Sequence, residues 1–127
     1  METLCRVLLS DEQTKVRLTT ARALGEIQDK HAVEALCNSL GSDGESDVRR
    51  TSAWALGEIQ DKRAVEALCS ALSSDRQSEV RKNAAWALGE IGSDKAVSFL
   101  KQALSDPDQQ VRSKAAWALS EIEDSDG

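Results

Sequence analysis

The sequence repeats itself with a period of about 32 residues. VRLTTARALGEIQDKHAVEALCNSL begins at Val16, VRRTSAWALGEIQDKRAVEALCSAL at Val48 and VRKNAAWALGEIGSDKAVSFLKQAL at Val80, and VRSKAAWALSEI follows from Val111. A fixed period in this range marks a solenoid: each unit is a supersecondary piece that cannot bury its own apolar face and must stack on its neighbours. No other property of the chain narrows its fold as far.

Each unit reads as two helices. Val48, Ser52, Ala55, Leu56 and Ile59 form one stripe of 3.6-residue period. RAVEALCSAL at 63–72 carries a second stripe through Ala64, Val65, Leu68 and Leu72. The QDK between them is long enough only for a tight turn, so the two helices lie antiparallel. Asp29, Asp61 and Asp94 read as N-caps of the second helices, and Asp106 with Pro107 as cap and first position of the last helix. METLCRVLL at 1–9 aligns with the second-helix segments, Leu4, Cys5 and Leu8 matching Leu36, Cys37 and Leu40. The expected fold is all-α, an α-solenoid of four stacked antiparallel helix pairs, eight helices in all. It forms a single domain with units at about 1–28, 29–60, 61–92 and 93–124.

The repeat resembles the short HEAT-like repeats of the phycobilisome-lyase type, which read approximately D-x-x-V-R-x-x-A-A-x-A-L-G-x-I-G-D-x-x-A-V-x-x-L. Residues 16–40, 48–72 and 80–104 follow that phrase almost residue for residue. The tetratricopeptide phrase W-x-x-L-G-x-x-Y and the ankyrin phrase T-P-L-H-x-A do not fit. The resemblance implies the fold, and says less about function because such repeats serve as scaffolds in many settings. It implies that Arg17, Arg49, Arg81 and Arg112 are structural arginines pairing with acids in the turns. It also implies that variable positions on the inner, concave helix are the ones used for binding.

The three tryptophans, Trp54, Trp86 and Trp117, share one repeat position, which Arg22 takes in the first unit. On a helical wheel that position lies roughly 140 degrees from the centre of the core stripe. Offset 2 carries Leu18, Arg50, Lys82 and Ser113, offset 3 carries Thr19, Thr51, Asn83 and Lys114, and offset 10 carries Glu26, Glu58, Glu90 and Glu121. With stacked helices about 8–10 Å apart, Arg22 and the tryptophans form a ladder along one face. Two readings stay open: the indoles pack between repeats, or they form a partly exposed recognition stripe of the kind that anchors interfaces. The candidate partner-binding set is Arg22, Arg50, Trp54, Glu58, Lys82, Trp86, Glu90 and Trp117.

Charge and composition narrow the partners. A formal charge of −6 counts against nucleic acid and against an anionic membrane surface, since both are bound chiefly through basic faces. No apolar run approaches the ~20 residues that span a bilayer, and the first residues lack a secretory pattern, so a reducing, cytoplasmic setting is expected. Cys5, Cys37 and Cys69 recur at one repeat position, about 10 Å apart by stacking, too far for a disulfide and placed as small apolar filler. His31 is the only histidine and reads as a solvated helix start. One HEAT-like enzyme family, deoxyhypusine hydroxylase, holds iron with His-Glu pairs, and this chain has no His-Glu step. No metal site, cofactor or catalytic residue is assigned. Gly25, Gly57 and Gly89 interrupt the first helices at a cost of ~1 kcal/mol each; close approach of a neighbouring helix is the expected reason, which the sequence alone does not derive.

The leading functional expectation is a non-catalytic scaffold that binds a protein or peptide on the concave first-helix face. The alternative, carried by the resemblance, is a subunit or fragment of a bilin lyase-like modifying factor whose aromatic face cradles a tetrapyrrole. The end units, with Leu4 and Leu8 at one side and Trp117, Leu119 and Ile122 at the other, look like interior ones, so the chain is expected either to be a piece of a longer protein or to self-associate end to end.

Overall fold

In a computed structural model, which describes residues 2–126, the chain is an all-helical repeat array. Its helices are α1 (Glu2–Ser10), α2 (Thr14–Ile27), α3 (Val33–Ser42), α4 (Ser46–Ile59), α5 (Val65–Ser74), α6 (Ser78–Ile91), α7 (Val97–Ala103) and α8 (Gln109–Asp126). Among the described residues there is no strand. The even-numbered helices are the first helices of the repeat and the odd-numbered ones the second helices. Each pair lies side by side, and like packs on like along the array: α2, α4, α6 and α8 in one row, α1, α3, α5 and α7 in the other. The first-helix row is the more closely packed.

Local chemistry sets the boundaries. Each interior first helix ends on a residue in the left-handed region, Gln28 (φ 54), Gln60 (φ 59) and Gly92 (φ 75). That conformation reverses the chain, and Gly92 adopts it without the Cβ clash the glutamines bear. The chain then enters the second helix through one turn of 3-10 helix: Lys30–Ala32, Lys62–Ala64 and Asp94–Ala96. The side chains of Asp29 and Asp61 accept from the amides of His31 and Arg63, as capping predicts. Two expected caps are displaced. In the third repeat Ser93 accepts from the Lys95 amide and Asp94 lies inside the turn, because Ser93 is the residue that aligns with Asp29 and Asp61. At the last helix Asp108, not Asp106, accepts from the Gln110 and Val111 amides at 2.8 and 3.2 Å, and Pro107 stands in the preceding turn.

Asp106 is diverted because it belongs to a ladder. The Arg17 guanidinium donates to both carboxylate oxygens of Asp43, at 2.8 and 3.2 Å, and back to the Asp11 carbonyl at 2.8 Å. Arg49 does the same with Asp75 and the Asp43 carbonyl, and Arg81 with Asp106 and the Asp75 carbonyl. Arg112 reaches the carbonyls of Asp106 and Pro107. Each aspartate also accepts from a backbone amide two residues on, fixing its turn. The fork geometry of arginine suits this two-sided bridging, since one guanidinium satisfies a carboxylate ahead and a carbonyl behind. The Asp43 hydrogen bond raises the Arg17 pKa and the Asp75 hydrogen bond that of Arg49, in each case over the opposing effect of burial. Burial pushes the Asp106 carboxyl up, but Arg81 and the Asp108 amide outweigh it and hold it below the usual range.

The hydrophobic core runs the length of the array between the two rows, with Leu8, Leu24, Leu36, Leu56, Leu68, Leu88, Leu100 and Ile122 almost fully enclosed. Among the described residues no side-chain polar atom is buried without a hydrogen-bond partner.

Replacing Arg49 with alanine strands the Asp75 carboxylate, whose side chain is only 7% exposed. This is expected to cost about 3 kcal/mol. Arg63→Ala, which removes an ion pair whose arginine is 59% exposed, is expected to cost less than about 1 kcal/mol. Urea unfolding followed by far-UV circular dichroism measures both.

Candidate docking face of the first helices

Beyond its first turn, α4 has only three residues that are not buried: Arg50, Trp54 and Glu58. They stand at i, i+4 and i+8, one line down the helix. The corresponding line in α6 is Lys82, Trp86 and Glu90, all half-buried. In α2 Arg22 and Glu26 are exposed, and in α8 Trp117 is half-buried with Glu121 exposed. The eight residues singled out from the sequence therefore share one face of the first-helix row. Thr51, at the flank of the core stripe on the wheel, is 4% exposed. An interior first helix has a like neighbour on each side as well as its own partner behind, so only a narrow strip remains open.

The tryptophans are packed between repeats and partly open at once. Each indole packs against the core while keeping part of its surface open, and the glycines explain how. A Cβ added at Gly25 would lie 2.6 Å from Cζ3 of Trp54 and 2.8 Å from the Ala55 Cα. At Gly89 it would lie 2.6 Å from Trp117 Cζ3 and 2.9 Å from the Ala118 Cα, and at Gly57 it would run into the Trp86 ring and come within 3.0 Å of the Ala87 Cα. Every indole is seated in the gap left by the glycine of the preceding repeat. Both members are missing together at the outer faces: the first unit has Arg22 for tryptophan and the last has Ser120 for glycine. Two copies stacked end to end would bring Ser120 toward Arg22, so this joint is not what would unite them.

Charge divides the face lengthwise. On the side toward the helix N-termini, Arg50 lies 3.7 Å from Asp47, and Lys82 lies 3.1 Å from Glu79 and donates to Gln110 at 3.2 Å. Lys114 sits over the Trp117 ring, 5.6 Å from its centroid. On the other side, Gln60 donates to Glu90 at 3.0 Å and Gln28 to Glu58 at 3.5 Å. Among the described residues no cation is within ion-pair distance of Glu26, Glu58, Glu90 or Glu121. Arg22, Glu26, Arg50, Thr51, Trp54 and Asn83 enclose a groove of about 350 Å³ in front of the first indole. The Asn83 amide donates to the Arg50 carbonyl across the α4–α6 junction. That groove and the forward-reaching glutamines are features the sequence reading did not include.

The cysteines lie at the back, on second helices. Burial pushes the Cys37 and Cys69 thiols up to about 11, so both stay protonated at neutral pH. Among the described residues no three histidine, cysteine, aspartate or glutamate side chains are placed to hold a metal ion, and no helix is long and apolar enough to cross a membrane.

Two substitutions of the same kind have opposite expected signs. Gly57→Ala gains ~1 kcal/mol of helix propensity but forces apart the indole and a neighbouring backbone, an overpacking cost of roughly 1–3 kcal/mol. It should lower the unfolding midpoint. Gly41→Ala, where an added Cβ meets nothing within 4 Å, should raise it. The two thiols should alkylate at pH 8 far more slowly in the folded chain than after unfolding in urea.

Comparison with known proteins places this architecture. The family model of HEAT repeats matches residues 1–82 and 65–127. Among solved structures, human deoxyhypusine hydroxylase, in complex with glycerol, is 28% identical with a TM-score of 0.86 over 97% of this chain and 43% of its own. A designed armadillo repeat protein in complex with the peptide (KR)4 is 21% identical, with a TM-score of 0.77 over 94% of this chain and 62% of its own. The CpcE–CpcF complex of the phycocyanin lyase from Nostoc is 22% identical, with a TM-score of 0.65 over 97% of this chain and 65% of that one. The chain thus spans between 43% and 65% of the length of these solved proteins. A search of the curated proteins finds no match. The chain belongs to the HEAT-repeat family.

Proposed function

We propose that the chain is a non-catalytic interaction scaffold that holds a protein or peptide along the first-helix face, through Trp54, Trp86 and Trp117 with Arg22, Arg50, Lys82, Glu58 and Glu90 around them. The observation that carries this reading is the unburied line Arg50–Trp54–Glu58 on α4 and the matching line Lys82–Trp86–Glu90 on α6, each with a half-buried indole at its middle. Such an indole is already fixed by its glycine seat, so a partner that covers the rest of it loses little side-chain entropy in doing so. Aromatic area at the centre with charge on both sides is the usual anatomy of an interface. The units at about 1–28, 29–60, 61–92 and 93–124 then each contribute one rung.

The proteins of similar fold support the reading in a limited way: one holds a peptide and another is half of a two-protein complex. For both, identity is low enough that the likeness is one of fold. A cytoplasmic location belongs to the same proposal.

Affinity capture with the native chain and with Trp54→Ala/Trp86→Ala tests it. The double variant is expected to lose every specific partner, by about two kcal/mol or more of binding free energy at hot-spot positions. Since those indoles also fill inter-repeat gaps, Glu58→Arg/Glu90→Arg serves as a second variant that leaves the packing intact. A bound protein retained by both variants, each confirmed folded by circular dichroism, would remove the face from consideration.

A further inference from the structure

Resting on that docking face, we infer that its partner is a cationic segment, whose lysine or arginine side chains seat between each indole and the glutamate one turn further along. Three observations lead there.

The first is the balance of charge across the strip. Around the two interior indoles its basic side is neutralised from within, since Arg50 pairs with Asp47 and Lys82 with Glu79, each at i,i+3 on the same helix, while Arg22 in the first unit has no ion pair among the described residues. Its acidic side is not: Glu58 and Glu90 have only glutamine amides beside them, and Glu26 and Glu121 stand in the open. The strip therefore presents an uncompensated row of carboxylates, within a chain whose formal charge is −6.

The second is where those carboxylates stand. Glu58 and Glu90 are the next-to-last residues of α4 and α6, where the helix dipole places negative potential and an acid is disfavoured. The first three repeats each carry a glutamate there, Glu26, Glu58 and Glu90, although helix stability alone favours a base. A cation arriving from outside relieves both the carboxylate and the helix end.

The third is internal to the molecule. In the fourth unit the ammonium of Lys114 lies over the Trp117 ring at 5.6 Å, within the distance at which a cation is drawn to an indole face. The residues at the same repeat position in the two preceding units are Thr51 and Asn83. Both are neutral, so Trp54 and Trp86 have no such cation of their own. Lys114, on the N-terminal side of its indole, shows in cis the cation–ring half of the contact that a partner's side chain makes in trans at those two indoles.

Successive indoles lie one helix spacing apart, about 8–10 Å. A polyproline-II segment brings every third side chain to the same side at about 9 Å, so an extended chain can engage both interior rungs at once.

Tryptophan fluorescence titrations with three octapeptides test this: alternating lysine and arginine, all glutamate, and an uncharged Ser/Leu/Gln sequence of equal length. The cationic peptide should bind best, with affinity falling as salt rises. Glu58→Gln/Glu90→Gln should weaken it roughly tenfold, two exposed ion pairs' worth, without moving the thermal midpoint by more than a degree or two. Unchanged affinity in that variant, or tighter binding of the glutamate or neutral peptide, overturns the inference. If one of those other peptides binds and the binding is lost in Trp54→Ala/Trp86→Ala, the docking face stands and only the charge assignment falls. If cationic binding survives loss of both indoles and both glutamates, the face itself is wrong.

Discussion

The closest approach in the molecule is between first helices, and nearly everything else follows from it. Gly25, Gly57 and Gly89 let a helix backbone come up to the alanine Cα of the next helix, and the space left beside that contact is filled by an indole. A helix pays about 1 kcal/mol to keep each glycine. In return the row of first helices closes up, and a large aromatic side chain fills the gap beside the contact while part of it stays at the surface. Without the glycine the indole has no seat, and without the indole the glycine leaves a gap.

A second system acts at the opposite end of the first helices. The Arg–Asp ladder links the turn of every repeat to the turn of the next, so that Asp43 and Asp75 each cap a turn, accept an arginine from behind and offer a carbonyl to the arginine ahead. Packing fixes how near the repeats come, and the ladder fixes their angle at the turns. The proposed docking strip lies between these two constraints and contributes little to either except through its indoles.

Much of this is legible in the sequence. The 32-residue period, the stripe from Val48 to Ile59 and the resemblance to HEAT-like repeats yield the helices, their order and the structural role of Arg17, Arg49 and Arg81. The candidate line Arg50–Trp54–Glu58 follows from helical periodicity alone. What escaped had a different origin. Whether a residue flanking the stripe is buried depends on two neighbouring repeats, so a wheel drawn for one helix places Thr51 at the flank without deciding that it is enclosed. The reason for the glycines lies on another helix thirty residues away, in Trp54 or Trp86, and no local pattern records it. Caps moved for a similar reason: Asp106 reads as a helix start until Arg81 is seen to hold it, and the cap of α8 then falls to Asp108.

The paired absence of Trp at Arg22 and of Gly at Ser120 bears on how such an array changes over time. A tryptophan can be gained in one unit only where the unit before it already has a bare backbone at the matching place. That backbone cannot acquire a methyl group until the ring opposite has shrunk. Substitution at the joint is therefore ordered, small before large on the way in and large before small on the way out.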